Sequence, residues 1–568
     1  MLQKLTTAQG DVLTGTPWTV YPRPQMRRDS YVNLNGYWDF TVATTPEEPE
    51  VFDRKILVPF CPESQLSGIG EHHSPEDAYL FYRRSITLPE NFNQGRVLLH
   101  IGAADQELTC YVNSQEVDTH HGGYDTITLD ITDYLQEENT LLLRCRDDLR
   151  RKAYPYGKQT LNRGGMWYTP VSGIWQTVWL ESVPETYIQK MVLDCKANRI
   201  QVILWPELDG TVTVPGVGEF PLEEGRCRFT VPDPHLWSPD DPYLYDFSVQ
   251  AGQDRVESYF AVRCFESRRV NGLRRFFLNG KPFFLHGVLD QGYWPDGLFT
   301  PATAECYAQD ILAMKRLGFN TLRKHIKIEP QEFYYQCDKL GMLVCQDMVN
   351  NGSYSFLKDT LLPTLGFQEK DDVFLHPDPE VRSMFKTTML RAVNQLRSHP
   401  SIVYWTIFNE GWGQFNANDT YIDLNDLDCT RFIDTTSGWF RAEQTEVESY
   451  HIYFGPWWKL RKKSKKPIVL SEFGGFAYPV KGHLFNPGKA YGYRSFRDKK
   501  KFQKALQRLY EKKVIPAAAR GLCAAIYTQL SDVEDEINGL LTYDRRVCKA
   551  DEEAMQQIAR QLQQACQD

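Results

Sequence analysis

From about Arg275 onward the chain repeats one unit: a short apolar run, then an amphipathic stretch that stops near a glycine. The first run is residues 283–288. A helix predicted over 302–317 ends before Gly318, a second run follows at 319–323, a helix over 330–340 stops at Gly341, and 342–345 is the third run. Glycine there is the C-cap that lets a helix terminate in the left-handed conformation. Strand and helix alternating in this way build a parallel sheet. Further strands are expected at 401–408, 430–434, 451–454, 468–471 and 523–528, with helices at 379–396, 498–512 and 551–564. The strand count reaches that of a (β/α)8 TIM barrel over 271–568, with the last helix closing the ring. The long excursion from Val349 is expected to loop over the mouth, and the basic run 459–466 (KLRKKSKK) reads as a solvated loop.

In such a barrel the side chains at the strand C-termini converge on one mouth. The run Ile402 to Asn409 is almost wholly apolar, as in a strand buried on both faces, and the polar pair Asn409-Glu410 stands where it ends. The same construction recurs at residues 467–475 (PIVLSEFGG), where Glu472 follows the apolar run. Two carboxyls flanking a glycosidic bond can protonate the leaving oxygen and stabilise an oxocarbenium-like centre, so Glu410 and Glu472 are the candidate catalytic pair.

Around them the strand ends supply candidate substrate-binding residues. Asn409 can reach a ring hydroxyl. His451 and Tyr453 alternate on the sixth run, and Tyr453 could donate a hydrogen bond that keeps Glu472 ionised. Arg323 after the second run could pair with a carboxylate, with His325 two residues on. His286 and Asp290 flank the end of the first run, and Trp294 in the following loop offers a face for sugar. Asp347, with Gln346, follows the third. Structural roles fit each of these positions too. Asp532, Glu534, Asp535 and Glu536 form an acidic stretch read either as a rim that binds hydroxyls or a cation, or as a solvated loop. No ligand set is spaced for a metal, and no cofactor is expected.

Upstream the pattern is all-β. Residues 1–184 carry short strands, among them 80–88, 96–101 and 108–112, separated by Gly, Pro, Asn and Asp clusters, which predicts a sandwich. Asn35-Gly36 and Asn113-Ser114 are candidate hairpin turns, and 174–180 reads as one strand with Trp175 and Trp179 on a shared face. Residues 185–270 fit a smaller immunoglobulin-like sandwich, with its last strands at 244–250 and 258–264 and a spacer role.

Composition narrows the partners. The net charge of −9 offers no basic field for nucleic acid or an anionic membrane. No apolar stretch reaches the roughly 18 residues of a membrane span, and the N-terminus lacks the roughly 7–15-residue apolar core of a signal peptide. Thirteen cysteines, an odd total without a CxxC pair, predict reduced thiols and a cytoplasmic location. Aromatics at 13% suit either sugar stacking or strand-rich packing, and a carbohydrate is the expected partner. A homo-oligomer is compatible with the β domains, though no interface is legible.

Larger motifs carry a resemblance over nearly the whole chain. They are Tyr21-Pro22-Arg23-Pro24-Gln25 through Leu34-Asn35-Gly36-Tyr37-Trp38, the run 58–64 (VPFCPES), His121-Gly122-Gly123-Tyr124, Ser172-Gly173-Ile174-Trp175-Gln176, Asn409-Glu410-Gly411-Trp412 and Ser471-Glu472-Phe473-Gly474-Gly475. Together these resemble glycoside hydrolase family 2. The resemblance implies a jelly-roll-like sandwich at the N-terminus and a retaining exo-β-glycosidase mechanism through a covalent glycosyl-enzyme. In it Glu410 is the acid/base and Glu472 the nucleophile. The default label is β-galactosidase. Family members often have Gly-Val-Asn-basic-His after the first strand; this chain has Gly287-Val288-Leu289-Asp290-Gln291, and 323–327 reads RKHIK. The Asn-x-Lys element of glucuronidases has no counterpart near 485–489, which weighs against a glucuronide. β-Glucuronidase, arabinosidase or galactofuranosidase are the alternatives within the class, and a non-catalytic carbohydrate-binding protein is the alternative outside it.

Overall fold

The computed structural model describes residues 2–71, 78–364, 367, 372–455, 457, 460 and 464–567. Three units follow along the chain, as expected: a jelly-roll-like sandwich, an immunoglobulin-like sandwich and a TIM barrel. The first pairs two antiparallel sheets. One has the order Tyr31–Asn33, Val178–Val183, Arg96–Ile101, Ile127–Asp130. The other runs Arg54–Val58, Gly36–Ala43, Tyr79–Ile86, Asn139–Arg146, Glu107–Val112, Gln115–His121. Alternate residues point to the same side of a strand, so Val97, Leu99 and Ile101 meet Leu141, Leu143 and Cys145 in the core between the sheets.

Two local expectations change here. Asn35-Gly36 turns no hairpin, because the strand before it pairs with Val178–Val183 while the strand after it joins the other sheet. It is a corner between sheets, held where Asn35 Oδ1 accepts the Val178 N–H at 3.1 Å. The run 174–180 is likewise not one strand: Gly173–Ile174 pairs with Ala104–Asp105, and Val178–Val183 joins the four-stranded sheet. In the break Trp175 donates Nε1–H to Gly123 O at 2.9 Å, and Trp179 stacks on His100 at 4.8 Å. Both are packing residues. Asn113-Ser114 does turn a hairpin, with φ of 51° and 64°.

The second sandwich sets Lys190–Lys196, Arg199–Trp205 and Arg226–Thr230 against Gly218–Leu222, Gly210–Val214, Tyr245–Ala251 and Asp254–Phe260. It is tied to the base of the barrel, where Asp338 accepts hydrogen bonds from Tyr259 Oη and, through its carbonyl, from Trp237 Nε1, each at 2.7 Å.

The barrel strands are β1 Leu285–Asp290, β2 Thr321–Lys324, β3 Leu343–Asp347, β4 Ile402–Asn409, β5 Phe432–Ser437, β6 Glu448–Ile452, β7 Ile468–Gly474 and β8 Leu522–Thr528. All paired neighbours are parallel, in the order 5-4-3-2-1-8-7-6. Strands β5 and β6 meet through side chains: Ser449 Oγ accepts the Gly438 N–H at 3.3 Å and donates to Asp434 at 3.0 Å. The helices are α1 Glu305–Arg316, α2 Gln331–Leu340, α3 Pro379–Leu396, α4 Ala417–Leu427, α5 Lys499–Leu509 and α6 Glu552–Gln567. Helix α4 escaped the sequence reading because its polar run DTYIDLNDL buries little beyond Ala417, Thr420 and Leu424. A hairpin, Phe265–Val270 with Leu273–Leu278, seals the barrel floor by packing Phe276 among Leu285, Leu343, Val403 and Val469.

The first sandwich lies directly on the barrel, where Trp175 meets Phe299 edge to face at 5.1 Å. Its loop 147–172 reaches the strand ends: the Tyr156 N–H donates to Asn350 O at 3.0 Å and its hydroxyl to Gly352 O at 2.9 Å. All thirteen cysteines are free. No described helix is long and apolar enough to cross a membrane. Residues 459 and 461–463 of the basic run lie outside the described residues.

Candidate active site

Strand β4 is buried from end to end, and the chain leaves it through a strained turn. Glu410 has φ +52°, followed by Gly411 at +71°. A non-glycine residue in that region costs on the order of 1–3 kcal/mol, and the Glu410 N–H is anchored to Ser437 O at 3.0 Å. Gly411 is required, since a Cβ there would lie 2.3 Å from the Phe440 ring. The turn aims the Glu410 carboxyl inward, where Oε1 lies 2.8 Å from His451 Nδ1. Burial, opposed by His451, raises its pKa above the ordinary carboxylate value.

Glu472 near the end of β7 faces it. Its Oε1 accepts Arg323 Nη1–H at 3.1 Å, Oε2 accepts the Tyr453 hydroxyl at 2.5 Å, and His451 Nδ1 lies 3.6 Å away. Burial alone would raise this group, but His451 and Arg323 foremost outweigh it electrostatically, the Tyr453 hydrogen bond adds to them, and the pKa falls to about 2. One oxygen of each glutamate and His451 Nδ1 all lie within 4.8 Å of one another. Among the described residues this is the donor set close enough to converge on a cation.

Arg323, 1% exposed, organises the floor of the site. Nε donates to both Asp347 oxygens at 3.0 and 3.1 Å, Nη1 to Glu472 and to Ser471 O at 3.0 Å, and Nη2 to Asn409 Oδ1 at 2.8 Å and Ser437 Oγ at 3.1 Å. Asp347 also takes His325 Nδ1 at 3.0 Å; burial holds that imidazole down to about 4, so it is neutral. With Asn409 Oδ1 committed to Arg323, its Nδ2 is left buried without a partner among the described residues, beside Glu410. Removing the guanidinium strands buried carboxylates. Arg323→Met is therefore expected to destabilise the fold by about 3–5 kcal/mol, measured by urea unfolding.

Seven of the candidate residues thus meet in one hydrogen-bonded network: Glu410, Glu472, Asn409, His451, Tyr453, Arg323 and Asp347, with His325 attached through Asp347. Strand β6 ends at Ile452, so Tyr453 lies just past it and reaches Glu472 from the loop. Three candidates do not join. His286 points into the helix layer, bonding Gly318 O at 2.9 Å and the Tyr510 hydroxyl at 3.2 Å, and it sits near the beginning of β1, away from the mouth. Trp294 has Arg545 over its face at 4.0 Å and is buried, so no face is open to sugar. Asp290 belongs to a separate buried ion cluster, paired with Lys324 at 2.5 Å, which in turn bonds Glu329 at 2.8 Å.

The acidic stretch is neither rim nor solvated loop. Asp532 pairs with Lys549 at 2.5 Å, while Glu534, Asp535 and Glu536 clamp the first sandwich by accepting the Thr169 N–H at 3.0 Å, Arg163 at 3.2 Å and the Tyr168 hydroxyl. Asn486 is spent on Asp535 at 2.8 Å. That sandwich loop brings Lys158 and Trp167 to the mouth, with Trp167 stacked on Trp412 at 5.4 Å. Sequence reasoning could not find them: they lie some 240 residues before the barrel residues they touch, in a segment without periodicity. Tyr493, stacked on Tyr453 at 3.6 Å, was missed for the same lack of pattern.

The family model described as "Glycosyl hydrolases family 2, TIM barrel domain" matches residues 269–563, more than half the chain. The chain belongs to glycoside hydrolase family 2. A second model, "Glycosyl hydrolases family 2", matches 202–263 within the middle sandwich. Among relatives of this family 2 chain, the β-galactosidase of Thermoanaerobacter pseudethanolicus is 23% identical over 72% of this chain and 56% of its own length. The β-glucuronidase of Felis catus is 24% identical over 69% of this chain and 65% of its own. The chain thus spans between half and two thirds of the length of these curated relatives. Among solved structures, the uncultured Clostridium sp. β-glucuronidase superposes with a TM-score of 0.73 at 17% identity, covering 95% of this chain and 99% of that one. The galacturonate-bound family 2 β-galacturonidase from Eisenbergiella tayi gives 0.68 at 18%, covering 96% and 99%. At these identities the likeness is one of fold.

Proposed function

We propose that this chain is a retaining exo-β-glycosidase, with Glu472 as the nucleophile and Glu410 as the acid/base. The observation that carries this reading is that one oxygen of each carboxyl approaches the other to within 4.8 Å, with His451 Nδ1 against both groups. Retaining enzymes hold the pair about 5–5.5 Å apart; an inverting enzyme needs roughly 6.5–9.5 Å for an interposed water. The protonation states match the roles. Glu472, held down to about 2, is ionised and ready to attack the anomeric carbon, while Glu410 is shifted by burial in the opposite direction, toward the acid form the leaving oxygen requires. In the second step Glu410, now ionised, takes a proton from the water that displaces Glu472. A cation drawn to the same donors would ionise Glu410 and oppose that role. Asn409 Nδ2, unpartnered and buried, is suited to a sugar hydroxyl next to the anomeric carbon.

A β-galactoside is the first reading of the sugar, and the relatives' names divide between β-galactosidase and β-glucuronidase. A uronide is the second reading, favoured by an unpaired ammonium in the mouth. A non-catalytic sugar-binding barrel would have no use for two adjacent carboxyls whose pKa values are pushed in opposite directions. Nitrophenyl β-galactoside, β-glucuronide, β-galacturonide, β-mannoside, α-L-arabinoside and β-galactofuranoside form the test panel. Turnover of at least one supports the reading, and silence across a folded, sugar-binding protein restores the binding-protein alternative.

Tyr453→Phe offers a finer check. Losing a hydrogen bond to a carboxylate, about 1.5–3 kcal/mol, is expected to raise the Glu472 pKa. Because Glu472 must be ionised, activity is lost as pH falls through that value. The acid limb of kcat/KM is expected to move up by about one to two pH units, read from a pH profile.

A further inference from the structure

Lys158 reaches the mouth from the first sandwich, and its position is fixed by backbone. Gly157 before it has φ +61° and passes so close to β2's exit that a Cβ would lie 2.9 Å from Ile326 O. The Lys158 carbonyl accepts the Tyr168 N–H at 3.0 Å. The residue is 8% exposed, yet no described residue gives its ammonium a hydrogen bond or an ion pair. Two ring faces lie beside the ammonium, with centroids at 5.4 Å for Trp412 and 5.9 Å for Tyr168. The charge is felt at Glu410, Glu536 and His325. Both of those carboxyls are raised by burial, and His325 is neutral.

Two other cations near the mouth are paired: Arg323 with Asp347 and Glu472, and Arg163 with Glu534 and Asp535. The Lys158 stem is buried while its unpaired Nζ is not among the buried atoms left without a partner, so the ammonium keeps an open side where a ligand anion can meet it. We propose that Lys158 is a specificity residue that recognises an anionic substituent of the glycoside, contributed by the sandwich rather than by a barrel loop. The Trp412 and Tyr168 faces beside it hold the ammonium over apolar surface, so an anion arriving there meets a poorly hydrated charge. This inference deepens the glycosidase reading and rests on it for the identity of the site.

The test compares the full-length protein with Lys158→Met and Lys158→Gln. Nitrophenyl β-glucuronide and β-galacturonide carry the anion on the sugar, carboxyphenyl β-galactoside carries it on the aglycone, and nitrophenyl β-galactoside is the neutral control. An about 100-fold loss of kcat/KM on one anionic arm, far beyond the change in the neutral control, which senses Lys158 only through its charge on Glu410, is expected and identifies where the anion sits. Equal effects on all substrates, or none on either anionic arm, overturn the proposal. Because a core-facing variant can fail to fold, the wild-type protein is also melted with glucuronate, galacturonate and galactose. Stabilisation by a uronate above that by galactose supports the proposal, and the reverse contradicts it. Melting needs no turnover, so a protein that binds uronate through Lys158 but hydrolyses nothing defeats the glycosidase reading alone. One that hydrolyses the anionic glycosides equally well without Lys158 defeats this inference alone.

Discussion

Glu472→Ala is expected to abolish turnover of whichever glycoside the panel identifies, lowering kcat by about 10⁴-fold or more, the scale on which a lost nucleophile acts. The reason lies in how the carboxylate is held. Arg323, Tyr453 and His451 converge on it within 3.6 Å, and they keep it ionised at a site whose burial alone would neutralise it. Removing it leaves no other ionised oxygen within the network on the reacting side, since Asp347 is bound by Arg323 and His325. Added azide is expected to restore turnover by occupying the vacated space and attacking the anomeric carbon, giving the α-glycosyl azide. A variant that retains activity without azide would show that Glu472 is not the nucleophile.

The second large effect concerns Glu410→Gln. Loss of a general acid/base costs about 10²–10⁴-fold, and the loss should depend on the leaving group. Dinitrophenol departs without protonation, so its glycoside is expected to form the glycosyl-enzyme at near wild-type rate and stall there, giving a burst. A poorer leaving group is expected to show slow turnover with no burst. The pH profile carries the same signature. Wild-type activity is present while Glu410 is protonated and is lost as pH rises through its burial-raised pKa. In the variant that alkaline limb should vanish. Stopped-flow release of dinitrophenol and a kcat/KM profile check both points.

How far the sequence speaks depends on whether a residue's task is written in its neighbours. Glu410 and Glu472 stand out because each ends a run that is otherwise apolar, and a carboxylate there has no packing reason. Helix α3 is delimited by Pro379 at its start with Asp378 as cap, and it begins and ends where the pattern places it. His286 shows the opposite case. It shares a strand face with Asp290, and neither joins the network; period-two alternation groups residues by face without saying which face looks into the site. Trp294 looks like a sugar platform until Arg545, some 250 residues later, covers its face. The acidic stretch after β8 has its partners in a different domain, at Arg163, Tyr168 and Thr169. Lys158 is invisible in the sequence for the same reason: what distinguishes it is the absence of a counter-charge among the described residues around it, and only the assembled mouth shows that.

The most direct measurement of the central claim is the anomeric configuration of the first-formed sugar. Proton NMR would follow hydrolysis of the best panel substrate by the wild-type protein before mutarotation sets in. With one oxygen of each carboxyl within 4.8 Å of the other, the pair is set for double displacement, and the β-anomer is predicted to appear first. Initial appearance of the α-anomer would mean single displacement by water, and would contradict both the nucleophile role of Glu472 and the reading of the site built on it.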